Sequence, residues 1–153
     1  MKLKLSGSET IDVSSEFLWN AIIDPKILKE CIPGCHEMNE VANGEYKIVL
    51  NLKVGAVGGS FDGKVKLSDQ NPPISCKLHL SGGGTLGTGI GFAKIIIDEK
   101  VKGTSLMSYE GEGEVGGLVA GVGQRVLLGV AKHLVKKFFS SFKTNLLKNI
   151  PKL

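Results

Sequence analysis

The amino-acid sequence specifies an α+β protein: a curved seven-stranded antiparallel sheet around a long C-terminal helix, with two short helices after strand 1. Three observations carry this. Between Asn43 and Gly116, polar and apolar residues alternate with period two and are punctuated by turn signals. From Leu118 to Ile150, apolar residues recur every four positions. Glycine supplies 21 of 153 residues, about twice the usual ~7%, with no Gly-X-Y period and only 5 prolines. Strands that bend repeatedly have this composition.

The first strand covers residues 1–12, with Leu3, Leu5 and then Ile11 and Val13 alternating around Gly7. Ser14 is a good helix N-cap, and Glu16 suits the positive end of the helix dipole. Phe17, Leu18, Ala21 and Ile22 then share one helical face. Asp24-Pro25 starts a second helix, cap followed by the residue best tolerated in the first turn, and Pro33-Gly34 ends it. Asn43-Gly44 is a hairpin turn. It leads into Tyr46, Ile48, Leu50, Leu52 and Val54, and a bend at Gly58-Gly59 precedes Phe61, Val65 and Leu67. After Asn71-Pro72-Pro73, Ile74, Cys76, Leu78 and Leu80 alternate with Ser75, Lys77, His79 and Ser81. Gly82-Gly83-Gly84 interrupts, Phe92 to Asp98 resumes, and Lys102-Gly103 turns into a last strand. There Met107 and Tyr109 oppose Ser108, Glu110, Glu112 and Glu114.

The closing helix is expected over 118–150, with Leu127, Ala131, Val135 and Phe139 widening its apolar stripe and Pro151 stopping it. A sheet with one apolar face needs a cover, and this is the only element long and apolar enough to supply it. A curved sheet gripping a helix leaves an apolar hollow where the two diverge.

The length suits one domain over residues 1–153 and is enough to bury a core without disulfide or metal staples. With 42% apolar and 22% charged residues, disordered classes are excluded. No apolar run approaches the ~18 residues of a membrane span, and Met1-Lys-Leu-Lys-Leu5 is no signal peptide, so a cytoplasmic location is expected. Charge is lopsided: seven basic residues and no acidic one lie from Leu118 onward. Of the 19 basic residues 12 therefore precede it, against all 15 acids, giving −3 before Leu118 and +7 after. At 100° per residue Arg125, Lys132, Lys136 and Lys143 align opposite Leu127 and Leu134. Their simplest reading is a solvated face; the functional one is docking on a partner protein or an anionic membrane.

The element order, with Glu16-Phe-Leu-Trp19, Asp24-Pro25 and Cys31-Ile-Pro-Gly-Cys35, resembles the SRPBCC (START-like) superfamily of helix-grip proteins. Within it the sequence resembles the CoxG family, the G subunits of carbon monoxide dehydrogenase, over nearly the whole chain. Gly63-Lys64-Val65 with Asp69 and Pro72-Pro73, Gly91-Phe-Ala-Lys94, and the glycine-rich run into Gln124-Arg125 add to the likeness. The resemblance implies a non-catalytic accessory protein without cofactor. It would hold a quinone or lipid-like molecule and assist assembly or membrane recruitment of a CO-dehydrogenase-type molybdenum hydroxylase. Members that tether the dehydrogenase to a membrane resemble this domain plus a C-terminal extension. The sequence ends three residues after Ile150, and self-anchoring is not expected. Aromatase/cyclase enzymes resemble the same fold, and catalysis of that type is the alternative.

Candidate chemistry is sparse. Cys31 and Cys35 lack a second Cys/His pair to complete a zinc site, and their spacing is not C-x-x-C. His36, His79 and His133 do not converge. Glu110, Glu112 and Glu114 line one strand face, a solvated row or an acidic patch for a partner. The Gly82–Gly91 glycines lie between strands, not between a strand and a helix as a phosphate loop requires. No aromatics interleave the basic helix stripe, which argues against nucleic acid. An apolar pocket is the better candidate. Leu50, Leu52, Phe61, Leu78, Phe92, Met107 and Tyr109 are expected to line it from the strands, and Leu127, Ala131, Leu134 and Phe138 from the helix. Tyr109 offers the hydroxyl to orient a ligand carbonyl. Gly63, Ala93 and Gly111 are expected to leave room beside them.

Overall fold

Strand, two helices, six strands and a helix follow one another in the computed structural model, which describes residues 1–55 and 57–149. Strand β1 is Lys2–Ile11, helices α1 and α2 are Ser15–Ile22 and Pro25–Cys31, and β2 to β4 are Cys35–Ala42, Glu45–Val54 and Val57–Asn71. Strands β5 to β7 are Ser75–Gly84, Gly87–Val101 and Thr104–Gly116, and α3 is Gln124–Asn149. The seven strands form one antiparallel sheet in the order β1-β7-β6-β5-β4-β3-β2, so β7 returns to pair with β1.

Local chemistry fixes the helix starts as the sequence predicts. The Ser14 hydroxyl accepts from the Phe17 N–H at 3.2 Å, and the Asp24 carboxylate accepts from the Lys26 N–H at 2.9 Å with Pro25 behind it. The long helix begins later than expected. Leu118–Val122 forms a separate 3₁₀ turn bounded by Gly117 and Gly123, whose φ angles of 83° and 100° lie outside the helical region. Gly123 therefore breaks what the four-residue apolar repeat reads as continuous. Ile150 and Pro151, the expected helix end, lie outside the described residues.

The core has two parts. The larger joins α1, α2, β6 and β7 to the C-terminal half of α3 through Leu18, Trp19, Ile95, Met107, Phe142 and Leu146. The smaller, around Met38, Tyr46 and Ile48, packs α2 against β2 and β3. Two polar groups are tied down in these parts: Ser105 donates to the Val13 carbonyl and Tyr46 to the Ile23 carbonyl, both at 2.8 Å. Burial, reinforced by the charge of Glu40, pushes the Tyr46 phenol up to about 12.

Candidate functional site

Alternation in the sheet separates an inner face, towards α3, from an outer one. Tyr109 marks the inner face because its ring stacks on Phe139 of α3 with centroids 5.5 Å apart. Two inner rungs cross the sheet beside it. One runs Leu67, Leu78, Ala93, Gly111, Leu5; the next runs Val65, Leu80, Gly91, Gly113, Leu3. Both have large side chains at their ends and small residues in the middle.

The inner glycines differ in what lies over them. A Cβ at Gly63 or Gly82 would stand 3.2 or 2.8 Å from Cε1 of Phe61, whose ring thus occupies the space those residues give up. A Cβ at Gly7 would strike the Tyr109 hydroxyl. At Gly91, Gly111 and Gly113 no bulky side chain closes the space; the nearest atoms are backbone, or the Ala93 methyl at 3.4 Å beside Gly111. These three glycines and Ala93 form the floor of a hollow with Phe61 at one end and Tyr109 at the other. Leu80 shows that it is open: its side chain is on the inner face, yet the residue is 42% exposed.

Helix α3 forms one side of this hollow. Its principal neighbours are β1 and α2. Two polar contacts pin it along β1: the Gln124 amide donates to the Lys2 carbonyl at 2.7 Å, and Lys143 Nζ pairs with Glu9 at 2.7 Å. Glu9 is thus ion-paired to the helix. The Tyr109 hydroxyl, by contrast, has no hydrogen-bond partner among the described residues. Burial and then the charge of Glu9 raise its pKa, so at neutral pH it remains a donor.

The expected site residues divide accordingly. Phe61 stands beside the inner glycines, Leu78 and Tyr109 are half-buried on the inner face and pack against the larger core part, and Leu127, Ala131 and Leu134 lie on the helical face that continues from Phe138 and Phe142. Leu50 belongs to the smaller core part, and Leu52 is half-buried at the β3–β4 hairpin end. Met107 is packed solid, and Phe138 stacks on Phe142 and meets Phe139 edge-on, so both are core. Phe92 corrects the expectation: it is on the outer face, 56% exposed, paired with His79 and Glu112. Ala93, Ile95 and Ile97 occupy the inner positions of β6, and strict alternation puts Phe92 outside with Lys94. Gly63 is a second correction, since Phe61 fills its space. Lys143 is a third, since its ion pair removes it from the free basic stripe; Arg125, Lys132 and Lys136 are exposed. Sequence reasoning missed Leu3, Leu5 and Leu80 as hollow residues, because only the β1–β7 and β5–β6 registers bring them there.

His36, His79 and His133 are all exposed, with His79 bonded to Ser68 at 3.0 Å. Cys31 and Cys76 are buried and Cys35 half-buried; burial raises all three thiols. Among the described residues no three His, Cys, Asp or Glu side chains are grouped to hold a metal ion, and no helix is long and apolar enough to cross a membrane.

A curved antiparallel sheet with a long C-terminal helix and an apolar hollow defines the helix-grip, START-like class. The chain has this fold in common with the Zhui aromatase/cyclase of Streptomyces sp. R1128, with a TM-score of 0.76 at 8% identity over 99% of this chain and 97% of that one. It also matches norcoclaurine synthase of Thalictrum flavum, solved with dopamine and hydroxybenzaldehyde, with a TM-score of 0.67 at 14% identity over 99% and 90%. A protein of Geobacillus kaustophilus is far more similar: TM-score 0.91, 33% identity, 95% of this chain and 96% of that one. Residues 7–147 match the family of carbon monoxide dehydrogenase G subunits (CoxG), and the chain belongs to it. No curated protein matches in sequence.

Proposed function

We propose that this protein is a non-catalytic carrier of an apolar small molecule, a quinone or lipid, that assists assembly or membrane recruitment of a CO-dehydrogenase-type molybdenum hydroxylase. The observation behind the reading is the apolar, glycine-floored inner face beside α3, on which Leu80 stays 42% exposed. Catalysis wants several titratable groups converging on a substrate. Here Glu9 is paired with Lys143, and the Tyr109 hydroxyl, which lies over Gly7 beside the hollow, has no hydrogen-bond partner among the described residues. One phenol suits orienting a carbonyl. Burying about 250 Å² of ligand at ~25 cal/mol per Å² gives about 6 kcal/mol, a dissociation constant in the tens of micromolar. Recruitment would use Arg125, Lys132 and Lys136, each worth about 1 kcal/mol near an anionic bilayer, giving weak contact that salt removes.

The test is titration with the neutral fluorophore N-phenylnaphthylamine, followed by competition with a short-chain quinone and with a fatty acid. Saturable binding, displacement by one competitor and at least tenfold weaker binding in Gly113→Leu are the expected results. Failure of the probe to bind would overturn the carrier reading. Turnover of a polyketide-like substrate would replace it with the cyclase alternative, which shares the fold with the aromatase/cyclase above.

A further inference from the structure

We infer that the outer face of the sheet is a weak, isologous dimerisation surface for a second copy of this chain. At its centre Ile90 and Phe92 of β6 are 63% and 56% exposed, a large apolar residue pair on a solvated strand face. They border a depression of about 410 Å³ that His79, Glu112, Glu114 and Lys2 also line.

The charge pattern names the occupant. One outer rung runs Glu45, Lys66, His79, Phe92, Glu112, Lys4 across β3, β4, β5, β6, β7 and β1. The next runs Lys47, Lys64, Ser81, Ile90, Glu114, Lys2. Acids therefore line β7 on one side of the apolar pair, and lysines line β4 on the other. A two-fold axis lying in the interface, parallel to the strands and between β5 and β6, exchanges those stripes. It sets Glu112 over Lys66 and Glu114 over Lys64 of the second copy, twice each, and Phe92 over His79. Lys4 then faces Glu45; like charges meet at Lys2 over Lys47 on the rim and at Lys94 over Lys77 on the rung beyond Phe92, where Lys77 also has Asp69 beside it at 3.2 Å. Face-to-face sheets cross at about 30°. At the β4 and β7 stripes, about 7 Å from the axis, that displaces each rung by only about 4 Å, within reach of Lys and Glu side chains.

None of Glu110, Glu112 and Glu114 makes an ion pair among the described residues, and Lys64 is likewise unengaged; the Lys66 contact to Glu45 is long and exposed at 3.7 Å. The charges that the arrangement uses are thus available. Four strands at ~4.8 Å and about six residues at ~3.3 Å cover roughly 400 Å² per copy, half the area of a standard interface, so the dimer is weak and concentration-dependent.

Sedimentation equilibrium of the full chain from about 10 µM to about 1 mM at low salt tests this. The mass is expected to rise from 16.3 kDa towards twice that value, and less so as salt is raised. Phe92→Lys should weaken association at least tenfold. Glu112→Lys and Lys66→Glu should each do the same alone, whereas an equimolar mixture of the two variants restores it, because each heterodimer recovers both oppositely charged contacts. That restoration cannot arise from misfolding. A monomeric mass throughout the range, association indifferent to these variants, or a mixture no better than its components would overturn the proposal.

Discussion

The two halves of α3 face the same sheet and do opposite things there. In its C-terminal half, Phe139, Phe142 and Leu146 are buried against Tyr109, Met107 and the two short helices, with no space left. In its N-terminal half the same apolar face continues through Leu134, Ala131 and Leu127, but the sheet beside it offers Gly91, Gly111 and Gly113 instead of large side chains. One amphipathic stripe thus serves as core at one end and as the wall of a hollow at the other. The residue size on the sheet, not the helix, decides which.

The packed half should carry the stability. Phe142 is fully buried, and Phe142→Ala removes a ring from a region with no room to collapse, costing about 3–5 kcal/mol in denaturant unfolding. A loss below ~1 kcal/mol would mean that this half is as loose as the other. The glycines supply the next contrast. In Gly7→Ala the new methyl meets the Tyr109 hydroxyl, and the ring cannot swing away without leaving its stack on Phe139, so a cost of about 1–3 kcal/mol is expected. In Gly113→Ala the methyl's nearest neighbour is the Ile90 carbonyl at 3.5 Å, an ordinary contact. There the lower chain entropy of Ala makes the change neutral or stabilising by up to ~1 kcal/mol. Equal costs at the two sites would show that the hollow is closed.

Much of this was legible from the chain. The element order, the helix caps at Ser14 and Asp24 and the inner parity of Phe61, Leu78 and Tyr109 follow from period and turn chemistry, which are local. Phe92 was not, because a single strand's alternation has no absolute sign: the apolar Ile90, Phe92 and Ile96 compete with Ile95 and Ile97, and only pairing with β5 and β7 settles which set faces in. The same limit hid Leu3 and Leu5. The role of Gly63 was illegible for another reason, since a glycine's emptiness is indistinguishable in sequence from a neighbour's ring filling it. Lys143 aligns with Arg125 and Lys132 by helical phase, but Glu9, 134 positions away, captures it.

The packed half also has a pH dependence. Glu99, near the end of β6, accepts hydrogen bonds from the Ser15 N–H at 2.5 Å and the Gly103 N–H at 3.0 Å, tying the start of α1 to the β6–β7 hairpin. The Gly103 and Ser15 bonds favour the charged form and lower its pKa from 4.5. A depressed folded-state pKa contributes stability that is fully present above the unfolded-state value and disappears as pH falls through the folded one. Glu99→Gln should therefore be less stable than the parent at pH about 6 and above, by less than Gly7→Ala because Glu99 is open to solvent. The difference should shrink below pH ~4.5 and vanish once the parent carboxylate is protonated. Urea midpoints for both chains across that range read this directly. A difference that stays constant with pH would assign the effect to the shape of the Gln side chain, and the anchoring of α1 would then owe nothing to the carboxylate's charge.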